Sequence, residues 1–267
     1  MQGRLLPKYN GLYQAHPKGY WQEEFAIAKN LGIDCIEFIL DYDFATNNPL
    51  LTQNGISEIK ELTNFYGVQV NSICADYFMK APLHAKNPSS SSESQRILVS
   101  LLKNAKKLEV SDIVIPCVDQ SSLNSNEAQN NFVKSLAKVI PIAENYQINL
   151  SLETDLSPIS FINLLNQFES DRVKVNYDIG NSASLGFDPV EELNAYCDKI
   201  SDIHIKDRIF GGGPVVLGGG DANFKVFFDK LKEFSYSGPF IMQAYRDEEG
   251  VEIFKQQLDW IKPYLMS

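Results

Sequence analysis

The sequence predicts an α/β protein that folds as a single (β/α)8 barrel over residues 1–267. Three observations support this fold. Apolar strand-like runs alternate strictly with amphipathic segments, about eight such units follow one another, and the length suits one barrel domain. Because helices cover the outside of a parallel sheet, its strands read as continuous apolar runs, and DIVIPCV is such a run. No linker-like stretch divides the chain, so we expect one domain.

The elements follow in order, with turn signals between them. Gly32 and Gly67 come just before strands, where a helix C-cap glycine belongs, and Ser157-Pro158 is typical of a helix N-terminus. The predicted strands are Ile33 to Phe38, Val68 to Ala75, Asp112 to Val118, Ile148 to Glu153, Val173 to Asp178, Ile200 to Ile205 and Pro239 to Ala244, with an eighth at Met1 to Leu6. The predicted helices are Tyr20 to Leu31, Ser57 to Tyr66, Glu93 to Leu108, Glu127 to Asn145, Pro158 to Phe168, Val190 to Cys197, Phe224 to Phe234 and Glu252 to Tyr264.

The charge balance excludes some classes of partner. A net charge of −10 and a pI near 4.8 oppose binding to nucleic acid, which requires clustered Lys and Arg. The N-terminal segment lacks the pattern of a signal peptide, and no apolar run is long enough to span a membrane. We therefore expect a cytoplasmic protein that binds neither nucleic acid nor membranes.

Four polar residues close consecutive apolar runs. Glu153, Asp178, His204 and Gln243 each stand near the end of a predicted strand, separated by roughly one strand-helix unit. In a barrel of this kind the carboxyl ends of the strands meet at one face and carry the active site. Carboxylate, imidazole and amide groups form a mixed oxygen and nitrogen site that suits Mn²⁺, Mg²⁺, Co²⁺, Zn²⁺ or Fe²⁺. We therefore predict a divalent metal site whose ion the sequence does not identify.

Several segments together resemble one family. LSLETD, VNYDIGNSASLGFDP, ISDIHIKDR, PVVLGGGDANF and GPFIMQAYRD, in this order, are similar to the xylose-isomerase-like TIM-barrel superfamily, in its sugar phosphate isomerase/epimerase branch. The opening MQGRL and the segment LGIDCIEF also resemble that branch. The resemblance implies that Glu153, Asp178 and His204 are metal ligands and that Gln243 is the fourth.

The resemblance also implies a reaction, in which Glu153 removes a proton next to a carbonyl and an enediolate is reprotonated. Many epimerases of the superfamily have a second glutamate where this chain has Gln243, and an amide cannot exchange protons near neutral pH. Lys206 lies on the same side of its strand as His204 and is the second predicted catalytic residue. The expected function is therefore a metal-dependent isomerase or epimerase of a sugar or sugar phosphate.

Further polar residues at the same face are candidates for binding a small carbohydrate substrate. Glu37 and Asp76 close two earlier strands, while Arg208 and Arg246 could pair with an anionic group. The glycine runs at 211–213 and 218–220 fit a phosphate-binding loop, a lid or a plain turn equally well. The sequence also leaves open whether the chain forms a homo-oligomer.

Three other functions fit this sequence pattern to different degrees. A metal-dependent dehydratase of an inosose or dehydroshikimate-like substrate would use the same enolisation and then expel a hydroxyl group. A non-catalytic sugar-binding barrel would keep the fold without the chemistry. A DNA-repair endonuclease similar to endonuclease IV is disfavoured, because its zinc site needs many histidines and this chain has three.

Overall fold

The computed structural model describes residues 1–246 and 250–265. Its strands are β1 Cys35–Ile39, β2 Gln69–Cys74, β3 Asp112–Cys117, β4 Asn149–Thr154, β5 Val173–Asp178, β6 Ile200–Ile205, β7 Asp207–Arg208, β8 Pro214–Val215 and β9 Phe240–Met242. Its helices are α1 Glu23–Asn30, α2 Gln53–Tyr66, α3 Tyr77–Lys80, α4 Pro88–Lys107, α5 Asn126–Leu136, α6 Ile140–Tyr146, α7 Pro158–Leu165, α8 Ile179–Leu185, α9 Pro189–Tyr196, α10 Phe224–Leu231 and α11 Val251–Leu265.

Seven strands form one parallel sheet in the order β1-β2-β3-β4-β5-β6-β9, and β7 and β8 form a separate antiparallel hairpin. The N-terminal segment lies between the two outer strands of the sheet. Glu37 N–H donates to Met1 O at 2.7 Å, and Gln2 N–H donates to Met242 O at 3.1 Å. The predicted (β/α)8 barrel is therefore confirmed as a nearly closed barrel.

The predicted eighth strand is reduced to a single bridge between Gln2 and Glu37. Gly3 and Arg4 follow with φ angles of 55° and 74°, which end the extended backbone at once. The predicted helix Glu127 to Asn145 is divided into α5 and α6. The short helices α3 and α8 and the hairpin were not predicted.

Local capping explains several boundaries. The Ser157 hydroxyl accepts a bond from Ser160 N–H at 3.4 Å at the start of α7, and Gly67 ends α2 with a φ of 71°. The serine run at 89–92 lies inside the first turns of α4. Asn87 is the cap there, since its side chain accepts from Ser89 N–H at 2.9 Å.

The strands present apolar side chains to the surrounding helices and polar side chains to the barrel interior. Outward residues such as Ile113, Leu150 and Ile203 are fully buried in one apolar core. The interior contains hydrogen-bonded polar pairs, including Ser151 with Asp112, whose oxygens lie 3.1 Å apart. The barrel centre therefore holds a polar layer beneath the carboxyl ends of the strands. In the described part of the chain, no helix combines the length and the apolar character that crossing a bilayer requires.

Candidate active site

Three predicted metal ligands meet at the carboxyl ends of neighbouring strands. Glu153 lies near the end of β4, Asp178 is the last residue of β5, and His204 lies near the end of β6. All three side chains are buried, and each offers a ligand atom within 4.8 Å of the other two. The parallel register that pairs Asp178 with His204 places these side chains next to each other.

Asp178 uses its two carboxylate oxygens differently. Oδ1 accepts a hydrogen bond from Asn181 N–H at 2.7 Å and caps helix α8. Oδ2 lies 3.9 Å from His204 Nδ1 and 3.2 Å from Lys206 Nζ. The carboxylate therefore caps a helix with one oxygen and faces the centre of the site with the other.

The His204 imidazole is fixed by carboxylates on its far side. Its Nε2 lies 3.0 Å from Glu37 Oε1 and 3.8 Å from Asp202 Oδ1, and no described residue gives either ring nitrogen a hydrogen bond of good geometry. Burial opposes the charged imidazolium, but the negative charges of Glu37 and Asp202 outweigh it and raise the pKa of His204 to about 10. This arrangement leaves Nδ1 as the nitrogen that faces Asp178.

Glu37 does not have the position expected of a substrate-binding residue. β1 continues to Ile39, so Glu37 lies in the middle of the strand with its carboxylate fully buried inside the barrel. The Ser72 hydroxyl donates to its other oxygen. Burial works against the charged form, yet His204 lowers the pKa of Glu37 below its usual value. The carboxylate therefore contacts the imidazole from inside the barrel, and its contact with substrate stays a prediction.

Glu153 is held by the side-chain amide of Asn181. Asn181 Nδ2 donates to Glu153 Oε1 at 2.5 Å. Burial, followed by the negative charge of Asp178, raises the pKa of Glu153 to about 7. A carboxyl group with such a pKa can accept and release a proton near neutral pH.

Lys206 reaches across the site towards three oxygen atoms. Its Nζ lies 3.2 Å from Asp178 Oδ2, 3.2 Å from Asn181 Oδ1 and 3.5 Å from Gln243 Oε1. The lysine stem passes closely over Gly180, where a Cβ atom would lie 2.8 Å from Lys206 Cγ. The glycine therefore makes room for the lysine, and Gln243 directs its oxygen towards the same centre.

A cavity of about 260 Å³ opens over these groups and is lined by Glu153, Asp76, Lys206, Arg208 and Gln243, among others. Burial raises the pKa of Asp76 to about 6. The Arg208 guanidinium donates to Asn181 Oδ1 at 2.8 Å and to Gly212 O at 2.8 Å and 3.1 Å. These residues lie where the sequence placed them, and their contact with substrate stays a prediction.

Arg246 has a different location from the other predicted substrate-binding residues. Its guanidinium donates to the backbone oxygens of Arg4 and Leu6 and lies 4.7 Å from the centroid of the Tyr13 ring. These contacts hold the N-terminal segment, and Arg246 does not line the cavity above Glu153.

Sequence reasoning missed two residues that border the site. Arg4 donates to Gln14 Oε1 at 3.1 Å, and Gln14 donates in turn to Asp76 Oδ2 at 3.4 Å. Burial lowers the pKa of Arg4 to about 10, while Asp178 and Asp76 partly offset that effect. Arg4 belongs to the opening MQGRL, which was predicted as the eighth strand and not as part of the site, and no sequence signal marked Gln14.

The donor set fits a divalent cation. Glu153 and Asp178 bring two buried carboxylates together, His204 Nδ1 lacks a hydrogen-bond partner among the described residues, and Gln243 adds an amide oxygen. Buried carboxylates in such numbers are stabilised when a cation lies between them. The second group of acidic and imidazole side chains, formed by Glu37, Asp202 and His204, shares the histidine and lies on its Nε2 side.

Comparison with known proteins identifies the family. Residues 25–264 match the family described as xylose isomerase-like TIM barrel. The chain belongs to this family. The predicted resemblance is thereby confirmed.

Named relatives are sugar epimerases. L-Ribulose-5-phosphate 3-epimerase UlaE of Escherichia coli O1:K1 / APEC is 25% identical over 274 residues, covering 94% of this chain and 93% of the relative. The structure of 3-keto-D-glucoside 4-epimerase YcjR from E. coli superimposes with a TM-score of 0.75 at 17% identity, over 91% of this chain and 94% of that one. A D-psicose 3-epimerase structure, obtained in the presence of D-fructose, has a TM-score of 0.76 at 13% identity, over 94% and 95% of the two chains. At these identities the two structural matches show the fold alone, while all three names agree with the predicted reaction class.

Proposed function

We propose that this protein is a metal-dependent epimerase or isomerase of a ketose, acting by proton transfer next to the carbonyl group. The observation that carries the proposal is the position of Glu153. Its carboxyl group has a pKa near 7 and lies beside Asp178 and His204 under an open cavity. A buried base next to a set of cation ligands is the combination that enolisation of a sugar requires.

Glu153, Asp178, His204 and Gln243 would hold the cation. When bound, a divalent ion would polarise the ketose carbonyl and stabilise negative charge on the enediolate oxygens. Glu37 would orient the imidazole of His204, because its carboxylate lies next to Nε2 and leaves Nδ1 available to the ion. The identity of the ion stays open among Mn²⁺, Mg²⁺, Co²⁺, Zn²⁺ and Fe²⁺.

Glu153 takes the proton from the carbon next to the carbonyl, and the C–H electron pair forms the double bond of the enediolate. Asn181 holds the carboxylate in place through its 2.5 Å hydrogen bond. Gln243 cannot return a proton to the opposite face, so this step falls to Lys206, whose ammonium group lies 3.5 Å from the Gln243 oxygen. The reaction thus pairs a carboxylate with an amine instead of two glutamates.

The proposal is tested by metal analysis followed by exchange of substrate C–H for deuterium in D₂O, across free and phosphorylated ketoses. We expect bound or activating divalent metal and exchange at the carbon next to the carbonyl. Glu153→Gln should reduce exchange by about 10²- to 10⁴-fold, because general base catalysis typically contributes that much. Glu192→Gln is the matched control, since Glu192 is also buried but lies outside the cavity.

The outcomes separate the other functions. Loss of water from the substrate would assign the site to a dehydratase. Absence of exchange with every ketose, or undiminished exchange in Glu153→Gln, would refute the proposed chemistry.

A further inference from the structure

A second cavity adjoins the candidate active site. It also has a volume of about 260 Å³, and it shares Gln14, Asp76 and Met79 with the cavity above Glu153. Each cavity alone is slightly smaller than the roughly 300–1,000 Å³ of most ligand pockets, and the two together fall inside that range. The shared residues make the two cavities neighbours; we call the pair the cleft, and the cavity above Glu153 its catalytic half.

The second cavity, which we call the aromatic half, presents exposed rings to solvent. Tyr42 is 46% exposed and Phe44 is 62% exposed, and both line it together with Asn47 and Asp41. Phe44 has a φ of 62°, a strained conformation for a bulky residue. Exposed aromatic rings next to amide and carboxylate groups suit a sugar ring, which has an apolar C–H face and a polar edge.

The charges of the aromatic half do not favour an anion. Lys80 forms an ion pair with Asp43 at 2.7 Å, and Lys18 lies 4.7 Å from the centroid of the Phe44 ring. His16 is neutral at physiological pH, because burial lowers its pKa to about 4. Asp41 and Asp76 add negative charge to the wall.

The glycine run at 218–220 is already occupied by a carboxylate of this chain. Asp207 is fully buried, and its Oδ2 accepts from Gly218 N–H at 2.9 Å and from Gly220 N–H at 3.0 Å. Its Oδ1 accepts from Ala222 N–H at 3.1 Å. These amide groups would otherwise be the donors of a phosphate-binding loop. The run therefore serves as a structural turn around Asp207.

The cations of the catalytic half are also engaged. Lys206 contacts Asp178, Asn181 and Gln243, while Arg208 donates to Asn181 and to Gly212 O. A phosphate group would have to compete with these partners and with the carboxylates of the wall.

We infer that the cleft binds an unphosphorylated ketose that carries a second, neutral sugar unit on a hydroxyl group away from its carbonyl. The reacting ketose unit lies over Glu153, and a second, neutral sugar unit packs against Tyr42 and Phe44. The inference rests on the proposed function for the position of the reacting unit, and it adds the substrate class.

A matched set of three ligands tests the inference by binding, without relying on turnover. D-Fructose, fructose 6-phosphate and isomaltulose share one ketose and carry at the sixth carbon a hydroxyl, a phosphate or a glucosyl group. We expect isothermal titration of the Mn²⁺-supplemented protein to show isomaltulose binding about tenfold more tightly than D-fructose, and fructose 6-phosphate binding no more tightly than D-fructose.

Phe44→Ala should remove the advantage of isomaltulose and leave the affinity for D-fructose unchanged. Phe65→Ala is the matched control, because Phe65 is 76% exposed on α2 and does not line either half of the cleft. A tighter complex with fructose 6-phosphate, equal affinities for isomaltulose and D-fructose, or an unchanged preference in Phe44→Ala would each overturn the inference. Deuterium exchange is measured separately, so a preference for isomaltulose without exchange refutes the reaction and supports the cleft.

Discussion

Two buried carboxylate clusters occupy opposite sides of strand β5. On the outer side, Glu192 accepts hydrogen bonds from Tyr177 Oη at 2.6 Å, from Tyr196 Oη at 2.8 Å and from the Ser182 hydroxyl. On the inner side, Asp178 meets Glu153 and His204. Tyr177 and Asp178 are consecutive residues, so the alternation of one strand supplies both clusters.

The clusters differ in the balance of donors and acceptors. Both oxygens of Glu192 accept hydrogen bonds from hydroxyl groups. These bonds connect helix α9 to helix α8 and to strand β5. The inner cluster brings several carboxylates to one imidazole and to the single ammonium group of Lys206, and His204 Nδ1 has no hydrogen-bond partner in the part of the chain that the structure describes. A buried carboxylate with enough donors is structural, whereas an excess of acceptors creates a demand for a cation.

The largest difference between the two clusters is expected from an isosteric substitution at Asp178. Asp178→Asn keeps a good helix cap, because asparagine caps as well as aspartate, but it removes the charge. In the wild type, Mn²⁺ at 100 times its Kd should stabilise the fold by about 2.7 kcal/mol, and the variant should lose most of this gain. Thermal unfolding with and without Mn²⁺ measures the difference.

We expect Glu192→Gln to change stability in the opposite way from Asp178→Asn. It should lower the stability of the metal-free protein by about 1–3 kcal/mol, since the buried hydroxyl groups lose a charged acceptor, and it should retain the full Mn²⁺ effect. A normal Mn²⁺ effect in Asp178→Asn, or its loss in Glu192→Gln, would contradict the division between a structural and a cation-binding cluster.

The pH dependence of Mn²⁺ affinity gives the next largest effect. His204, with a pKa of about 10, must lose a proton before Nδ1 can bind a cation, and Glu153, with a pKa of about 7, must do so as well. The apparent affinity should therefore rise about tenfold per pH unit between 7 and 10, and more steeply below 7. Electron paramagnetic resonance titrations at several pH values measure free Mn²⁺, and an affinity independent of pH would exclude these two ligands.

The smallest effect concerns the space beneath Lys206. Gly180→Ala would place a methyl group 2.8 Å from Lys206 Cγ and shift the ammonium group. We expect the rate of deuterium exchange to fall by roughly threefold to tenfold, because misplaced catalytic groups lose rate steeply. Gly67→Ala is the control, since its φ of 71° makes alanine cost about 1 kcal/mol of stability far from the site. Equal exchange rates in both variants would remove Lys206 from the proton-transfer step.

The sequence predicted the sheet well where the pattern of apolar residues within a strand is enough to identify it. The bounds of β5 and β6 match, because apolar residues alternate with polar ones along VKVNYD and over most of ISDIHI and the alternation ends at the catalytic face. The predicted strand at Met1 to Leu6 was wrong, because an apolar sequence pattern does not reveal the positive φ angles of Gly3 and Arg4. Helices as short as α3 and α8 span too few residues to produce a detectable periodicity.

The sequence predicted which residues come together at the candidate site, but it carried less information about what each residue contacts. Glu153, Asp178 and His204 were found because each ends a strand, and barrel topology brings such ends together. Glu37 was expected to close its strand, whereas β1 continues to Ile39 and the carboxylate lies inside the barrel beside His204. Arg4 and Gln14 come from an irregular segment whose path depends on tertiary contacts, so no local pattern could assign them.

The two carboxylate oxygens of Asp178 would link the proposed cation to the order of helix α8. One oxygen holds the first turn of the helix through the backbone N–H of Asn181, and the other faces His204 and Lys206, where the cation would bind. An ion bound to the second oxygen would immobilise the side chain whose first oxygen caps the helix. The backbone amide proton of Asn181 is therefore a reporter of ion binding, and its exchange with solvent should slow as the ion binds.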